Sequence, residues 1–285
     1  MIQPCINGMS IRVVGMSRSG NHAIIHWLLR ALDDCRWCFL NCVEPGADPW
    51  ASARPMDDGR RWVASEDTLL PGSQDGASPP AGHRDYVIRS YEDTFLKPVF
   101  GADHHGPADG GIGGSRRCLD VLILRDPFNL FASRRHSATG LVDELVAMRI
   151  WKQHARTFLA GRFARRRLVT ISYNAWVADD AYRRRTAAAL GLHTLPEGLG
   201  TVATCNGGSS FDGLSYAKQP EQMRVFERWR HYRDDPRYLS LFDDDARRMA
   251  ERLFACDGLP LNGDGVASNT CRGRAPTAAV PAISR

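Results

Sequence analysis

The chain has 285 residues, of which 43% are hydrophobic, enough to bury the core of one large α/β domain or of two small ones. Its 37 basic and 32 acidic side chains leave a net charge of +5, which suits an anionic ligand but is far from the charge of a typical nucleic-acid-binding protein. No apolar stretch reaches the roughly 18 residues that a membrane span needs, and the opening MIQPCINGMS lacks the pattern of an export leader, so we expect neither.

The first predicted element is a short apolar strand that leads through a polar loop into an amphipathic helix. Residues 11–32 read IRVVGMSRSGNHAIIHWLLRAL, with the apolar side chains of the helix on one broad face. This order of elements collects backbone N–H groups and the positive end of a helix dipole at one point, which predicts a site for phosphate or sulfate. The residues of the predicted site are Gly15, Ser17, Arg18, Ser19, Gly20, Asn21 and His22.

The glycine spacing of this loop resembles a Walker loop, but the residues after the second glycine differ. Gly15 and Gly20 fit G-x-x-x-x-G, whereas Asn21 and His22 stand where that motif has Lys and Ser or Thr. The missing hydroxyl is the one that holds Mg²⁺ on a nucleoside triphosphate, and Arg18 offers cationic donors instead. The loop therefore favours a phosphate-like group held without a metal, with a plain glycine turn as the structural alternative.

A second strand is predicted over residues 36–41, where a C-x-x-C motif also lies. Cys35 and Cys38 form that motif, and His22 and His26 lie one helical turn apart, so a zinc site is conceivable. The eight cysteines are scattered, which is typical of reduced thiols in the cytoplasm and not of a disulfide framework. We therefore interpret them as core cysteines and expect no metal and a cytoplasmic location.

Two stretches with few periodic apolar residues are predicted as long loops. Residues 43–84 are rich in Pro, Gly, Asp and Ser, as in a disordered insertion or a lid, and residues 101–117 include a Gly-rich stretch. Between them, residues 85–90 (DYVIRS) predict a third strand. Ligands of open α/β sheets sit beyond the carboxyl ends of the strands, so Glu92 or Asp93 is placed for chemistry, although such carboxylates are often only helix caps.

A fourth strand is predicted at residues 118–124 (CLDVLIL), and a helix follows it. Asp126 can cap this helix and Pro127 suits its first position. Arg125 then lies at the carboxyl end of the strand, and Ser133 lies eight positions later on the helix. Taken alone, this pattern is that of an ordinary capped helix with an Arg on the rim of the sheet.

Together, the loop G-M-S-R-S-G-N-H and the later strand that ends in R-D-P-F-N-L-F-A-S resemble the sulfotransferases that use 3′-phosphoadenosine 5′-phosphosulfate (PAPS). The resemblance covers roughly residues 11–242. It implies that the first loop holds the 5′-phosphosulfate, and that Arg125 and Ser133 hold the 3′-phosphate. The implied fold is a three-layer αβα domain with a central, mainly parallel sheet of about five strands, similar to P-loop NTPases.

The resemblance also implies contacts to the nucleoside. Tyr173, which ends the predicted strand LVTISY, matches a Tyr associated with the adenine. Ser210 and Phe211, within NGGSSFDG, match a Ser-Phe segment near the nucleotide. Lys218 is a candidate for a further charge on the 3′-phosphate, where family members often have Arg.

The implied reaction moves a sulfuryl group from PAPS to a hydroxyl or amine by in-line transfer without a metal. Family members that act on phenols and steroids often carry a His base after the third strand, where this chain has Tyr91 and Glu92. Other branches use a carboxylate, so Glu92 is the predicted base, with Glu44 and Asp93 in reserve. Arg18, where many members have Lys, is predicted to meet the developing charge.

The predicted organisation is one domain over residues 1–262 and a loose tail over residues 263–285. Further helices are predicted at residues 182–190, 220–232 and 243–254. The acceptor, whether a small molecule, carbohydrate, lipid or peptide, stays open, as does the oligomeric state. Alternative functions are a P-loop nucleotide kinase or NTPase, a nucleotide-binding protein without transferase activity, and a nucleic-acid-binding module that uses the arginine clusters.

Overall fold

A six-stranded sheet forms the centre of the computed structural model, which describes residues 5–56, 58–65, 82–103, 112–138, 140–164, 166–192, 194–202 and 208–254. In chain order the strands are β1 (Cys5–Gly15), β2 (Trp37–Leu40), β3 (Trp62–Ala64), β4 (Arg84–Glu92), β5 (Gly114–Leu124), β6 (Arg162–Phe163), β7 (Arg166–Arg167) and β8 (Val169–Ser172). The order across the sheet is β3-β2-β4-β1-β5-β8, and β6 pairs with β7 in a separate ribbon. All neighbours in the sheet are parallel except β2 and β3, so the mainly parallel prediction is confirmed.

Helices cover both faces of the sheet. They are α1 (Asn21–Arg30), α2 (Pro49–Ser52), α3 (Leu96–Phe100), α4 (Pro127–Ser137), α5 (Glu144–Ala160), α6 (Tyr173–Ala178), α7 (Asp180–Leu190), α8 (Pro236–Leu239) and α9 (Asp244–Phe254), with 3₁₀ turns at Pro220–Gln222 and Arg228–Tyr232. None of the helices in the described part of the chain has the length and apolar character to cross a membrane.

The alternation of side chains along β1 explains the layers. Ile11 and Val13 point to one face and join the core built with α1, whose Leu28 is buried there. Val14 points to the other face and joins Leu122 in the core under α3. Both faces of the sheet thus bury apolar side chains, as expected for parallel strands covered by helices, although the strands also bury the ion pair of Arg12 and Asp120.

Helix α5 is the longest helix and was not among the predicted elements. It begins behind Asp143, whose carboxylate accepts from the Val146 amide, and it ends at Gly161 with φ of 64°. Its buried side, which includes Trp151, packs with α4 and α9 in a core of their own. The added helix leaves the predicted layer order unchanged.

Several predicted boundaries were wrong. The stretch 43–84 contains α2 and β3 as well as the first residue of β4, while residues 57 and 66–81 lie outside the described residues. β5 begins at Gly114, inside the predicted loop 101–117, and residues 104–111 are not described. The tail 263–285 also lies outside the described residues.

The predicted helix 220–232 is replaced by two short 3₁₀ turns. Tertiary contacts fix this segment: the carbonyl of Val225, between the turns, accepts from Arg125, and the side chain of Arg228, in the second turn, donates to Ser133. Such contacts with residues far away in the sequence override the helical periodicity of the segment.

The strand order fixes where a ligand can bind. β1 lies between β4 and β5. The chain first places β2 and β3 on one side of β1, returns with β4 between β2 and β1, and then adds β5 and β8 on the other side. Connections that leave in opposite directions open a crevice at the carboxyl ends of the strands, which is where ligands bind in such sheets.

Candidate functional site

A cleft lies at the carboxyl ends of β1, β4, β5 and β8. Its empty space is about 910 Å³, part of it open to solvent, and lies within the usual range for a small-molecule site. The walls comprise polar residues of the glycine loop and several apolar residues. They are Ser17, Arg18, Gly20, Asn21, His22, Ala23, Glu92, Arg125, Tyr173, Trp176, Val177, Leu199, Thr201, Val202, Gly208, Ser209, Ser210, Pro220, Met223, Val225 and Arg228.

The loop between β1 and α1 is closed by its own hydrogen bonds. The Ser19 amide donates to the Met16 carbonyl (2.9 Å), and the Met16 amide donates to the Ser19 hydroxyl (3.1 Å). Arg18 and Gly20 both adopt left-handed backbone, with φ of 71° and 88°. The turn brings the start of α1 to the cleft, where the first amides have no acceptor within the helix and the helix dipole is positive.

Asp93 holds this loop from the end of β4. Its Oδ1 accepts from the Ser17 amide (3.1 Å) and from Arg134 Nη1 (2.7 Å), and its Oδ2 accepts from the Leu141 amide (2.9 Å). Both oxygens of this buried carboxylate are therefore engaged in holding the backbone. Glu44, the other reserve base, is exposed and does not line the cleft.

Glu92 lies on the cleft wall beside the loop. Its Oε1 accepts from Asn21 Nδ2 at 2.9 Å. Arg18 is close enough to interact with it electrostatically: burial lowers the pKa of Arg18, and the charge of Glu92 partly opposes that shift. The Arg18 side chain also donates to the Gly208 carbonyl (3.2 Å), so it crosses the cleft from the loop to the opposite wall.

Two buried arginines meet on the cleft wall, at a place called the arginine end below. Arg125 Nη1 and Arg228 Nη1 both donate to the hydroxyl of Ser133, at 3.3 and 3.0 Å. Arg125 also donates to the carbonyls of Arg18 (3.0 Å) and Val225 (2.8 Å), which joins this end to the glycine loop. Arg125 and Arg228 are only 2% and 6% exposed.

This arginine pair carries more positive charge than the described residues around it neutralise. Asp212 pairs with Arg228 at 3.3 Å, whereas Arg125 donates to neutral oxygens of Arg18, Ser133 and Val225. Burial, with the nearby charge of Arg125, lowers the pKa of Arg228 to about 10. The Nε atoms of both arginines are buried without a hydrogen-bond partner among the described residues. Since buried charge is costly unless paired, this end of the cleft is built for an anion.

Aromatic side chains form the wall between the two ends. The plane of the Tyr173 ring lies at 28° to that of Trp176, with centroids 6.2 Å apart, and the Arg125 guanidinium lies 4.9 Å from the Tyr173 ring centre. Gly20 contacts the same ring, because a Cβ at this position would lie 2.1 Å from Tyr173 Cδ2. The wall offers a flat apolar surface beside the positive charges.

A short turn, residues 208–213, closes the arginine end. Phe211 stacks on His136 (centroids 4.0 Å apart, planes at 15°) and lies 4.9 Å from His231. The Arg228 guanidinium lies 5.3 Å from the Phe211 ring centre, and Arg228 Nη2 donates to the Ser209 hydroxyl (2.7 Å). The turn therefore supports Arg228 from the solvent side.

The structure brings most of the sequence-predicted site residues together. Those on the cleft walls are Ser17, Arg18, Gly20, Asn21, His22, Glu92, Arg125, Tyr173 and Ser210. Gly15 leaves room for the Asn21 side chain, and the Ser19 hydroxyl accepts from the Met16 amide within the loop. Ser133 contacts Arg125, and Phe211 contacts Arg228. Lys218 is exposed and off the wall. Arg228, which the sequence did not single out, lies beside Ser133 instead.

The conceivable zinc site has no counterpart in the described residues. There, no three His, Cys, Asp or Glu side chains are grouped so as to hold a metal ion. His22 Nε2 lies 2.9 Å from Asn41 Oδ1, and Cys38 is fully buried. Burial raises the pKa of the Cys38 thiol to about 12, as expected for a core cysteine.

Comparison with known proteins finds similarity in structure only, because no family model and no curated protein sequence matches this chain. The sulfotransferase domain of the Synechococcus PCC 7002 olefin synthase is 15% identical, with a TM-score of 0.43 over 87% of this chain and 95% of that one. Mouse sulfotransferase SULT7A1, complexed with PAP, is 11% identical, with a TM-score of 0.45 over 88% of this chain and 90% of that one. The sulfotransferase domain from the curacin biosynthetic pathway is 12% identical, with a TM-score of 0.45 over 88% of this chain and 98% of that one.

Proposed function

We propose that this protein is a sulfotransferase that uses PAPS as its sulfuryl donor. The observation that carries the proposal is the pair Arg125 and Arg228 on one Ser133 hydroxyl, in the same cleft as a glycine loop and separated from Gly20 by the ring of Tyr173. A ligand that satisfies both ends has two separate anionic groups joined by a flat apolar body. An adenosine that carries a 3′-phosphate and a 5′-phosphosulfate fits this description.

The residues of the cleft fit the donor group by group. The unpartnered Nε atoms of Arg125 and Arg228 can donate to a 3′-phosphate, with the Ser133 hydroxyl between them. The first amides of α1 and the Arg18 guanidinium can hold the 5′ anion. The rings of Tyr173 and Trp176, in the wall between the two ends, suit an adenine.

Each residue near the glycine loop then has a role in transfer. PAPS, when bound, supplies the sulfuryl group that an acceptor hydroxyl or amine takes up. Arg18 and the loop amides stabilise the negative charge that develops on the oxygen of the leaving phosphate. Glu92 accepts the proton that the acceptor loses, at the same end of the cleft. The acceptor itself is a small molecule or a carbohydrate.

Calorimetry with three nucleotides tests the binding part of this proposal. The ligands are 3′,5′-diphosphoadenosine, adenosine 5′-phosphate, and ATP with Mg²⁺. We expect the diphosphate to bind most tightly. Arg125→Ala and Arg228→Ala should each weaken it by about 10- to 100-fold, because each removes a charged hydrogen bond to a buried anion. Arg228→Ala should bind adenosine 5′-phosphate much as the unchanged protein does, whereas Arg125→Ala should weaken this ligand too, because Arg125 also contacts the Arg18 carbonyl and the Tyr173 ring.

Arg230→Ala is the matched control, since Arg230 lies on the same 3₁₀ turn as Arg228 but is exposed and pairs with Glu227. Equal affinity for the two adenosine ligands, or tightest binding of ATP with Mg²⁺, would contradict the proposal. Transfer is then tested with PAPS that carries radiolabelled sulfur and with pooled alcohols, phenols, amines and sugars. Binding without any transfer would identify a nucleotide-binding protein that lacks transferase activity.

A further inference from the structure

The side chain of Asn21 joins the glycine loop to Glu92. Asn21 Nδ2 donates to Glu92 Oε1 (2.9 Å) and, with a longer bond, to the Met16 carbonyl (3.3 Å). Its Oδ1 accepts from the Ser19 hydroxyl at 2.8 Å. Asn21 is only 3% exposed, whereas Glu92 is half-buried on the cleft wall.

The chemistry of the partners fixes the orientation of this amide. The ionised carboxylate of Glu92 can only accept, so the NH₂ group of Asn21 must face it. The Ser19 hydroxyl accepts from the Met16 amide, which leaves its proton for Asn21 Oδ1. Reversing the amide would set two acceptors against each other at the carboxylate.

Space around the amide is limited by the loop itself. A Cβ at Gly15 would lie 2.0 Å from Asn21 Oδ1, so the absence of a side chain at Gly15 makes room for the Asn21 side chain. Gly15 also pairs in register with Glu92 across β1 and β4. The carboxylate and the amide are therefore held by backbone that the sheet makes rigid.

We propose that Asn21 is a positioning residue for Glu92. It holds Oε1 against the loop, so that Oε2 is the oxygen left to accept a proton in the cleft. This inference rests on the proposed function in that Glu92 acts there as the base. The inference adds a role for Asn21, which stands where a Walker loop has Lys: its side chain orients Glu92 as well as closing the loop.

A double-mutant cycle tests the contact on the whole chain without any ligand. Asn21→Asp keeps the size of the side chain but places a second carboxylate beside Glu92, and Glu92→Gln removes the repulsion. We expect Asn21→Asp to lower the melting temperature by about 3 °C or more at pH 8. The two changes together should lower it less than the sum of the single changes.

The pH dependence separates positioning from a general loss of packing. Repulsion raises the pKa of one carboxyl in the Asn21→Asp variant above its unfolded value, so the folded form regains stability as the pH falls. The deficit at pH 8 should therefore shrink at pH 5. The other charged or titratable groups described near Glu92 are Arg18, His22, Cys42 and Asp93. Asn41→Asp is the matched control, because Asn41 is also buried near the cleft but contacts His22.

Transfer gives the second readout. With radiolabelled PAPS and the acceptor found in the pooled assay, the acid limb of the rate profile should move up by about one pH unit or more in Asn21→Asp. Equal deficits at pH 5 and pH 8, or additive single changes, would overturn the inference. If the unchanged chain fails to bind 3′,5′-diphosphoadenosine, the proposed function fails, while the stability cycle still decides whether Asn21 and Glu92 are coupled.

Discussion

Gly20 is the residue on which the shape of the cleft depends most directly. It combines a φ of 88° with direct contact to the ring of Tyr173. An L residue at this φ is strained, and here a side chain would also displace the aromatic wall.

We expect Gly20→Ala to lower the melting temperature by more than backbone strain alone explains, and to weaken binding of 3′,5′-diphosphoadenosine. The methyl group would meet Tyr173 at 2.1 Å, so the ring must move from its place beside Arg125. Thermal unfolding and calorimetry on the same sample measure the two effects.

Gly46→Ala is the control for this prediction. Gly46 has a similar φ of 83°, but a Cβ there meets nothing within 4 Å. The difference between the two variants isolates the clash with the ring. If the melting temperature falls equally in both variants and Gly20→Ala keeps full affinity for 3′,5′-diphosphoadenosine, the contact with Tyr173 does not shape the cleft.

At the scale of elements, the turn 208–213 is closed by backbone hydrogen bonds between Ser209 and Gly213 and contacts Arg228 through its side chains. Phe211 lies between His136 and His231 and under the Arg228 guanidinium. Arg228 in turn reaches Ser133, so the ring supports one of the two cations at the arginine end.

We expect Phe211→Ala to weaken binding of 3′,5′-diphosphoadenosine by about 3- to 20-fold, because the ring contributes a cation–π contact and keeps Arg228 away from water. Binding of adenosine 5′-phosphate should change little, since the 3′-phosphate is the group that Arg228 is proposed to hold. Calorimetry with the two nucleotides measures the difference.

Two variants make this result specific. Phe211→Tyr keeps an aromatic face and should bind nearly as well as the unchanged protein. Leu145→Ala removes an apolar side chain that is 69% exposed on α5, and should have no effect. An equal loss for both nucleotides in Phe211→Ala would mean that the turn supports the whole cleft and not Arg228.

The strands and the site loops could be predicted because their signals are local. The apolar run before Gly15 and the run before Arg125 each give a strand, and Asp126 followed by Pro127 gives the start of α4. Parallel strands then bring their carboxyl ends to one edge, so the meeting of these loops follows from the fold class.

Arg228 and Trp176 could not be found in this way. Arg228 lies near the exposed arginines Arg224 and Arg230 in the sequence, and it differs from them by its burial and its tertiary contacts, such as the one with Ser133. Trp176 lies one turn into α6, where an apolar residue is expected for packing alone. Their places in the cleft depend on contacts between residues far apart in the sequence.

At the scale of the whole molecule, the cleft is assembled from segments spread over most of the chain. The single side chain of Arg125 donates to the carbonyls of Arg18 and Val225, which lie 107 residues before and 100 residues after it. A ligand that bridges the two ends therefore binds only the folded chain and raises its stability with ligand concentration.

The stability of the whole fold should also depend on pH through His154. This side chain on α5 is fully buried, and its Nε2 lies 2.9 Å from the Thr94 carbonyl, which requires a proton on Nε2. Burial lowers the pKa of His154 to about 4, although the hydrogen bond to Thr94 and the charge of Asp93 oppose the shift. The folded protein therefore keeps this imidazole neutral.

The lowered pKa of His154 sets the direction of the pH effect. Above the unfolded pKa of about 6.5, both states are neutral and the group costs nothing; as the pH falls from there toward 4, only the unfolded chain gains the proton. We expect the free energy of unfolding to fall by about 2 kcal/mol between pH 7 and pH 5 from this group alone.

His154→Gln, which keeps an N–H donor, should remove that part of the decline. Urea unfolding at both pH values measures it, with His83→Gln as the exposed control, and an unchanged decline in His154→Gln would show that other groups cause it.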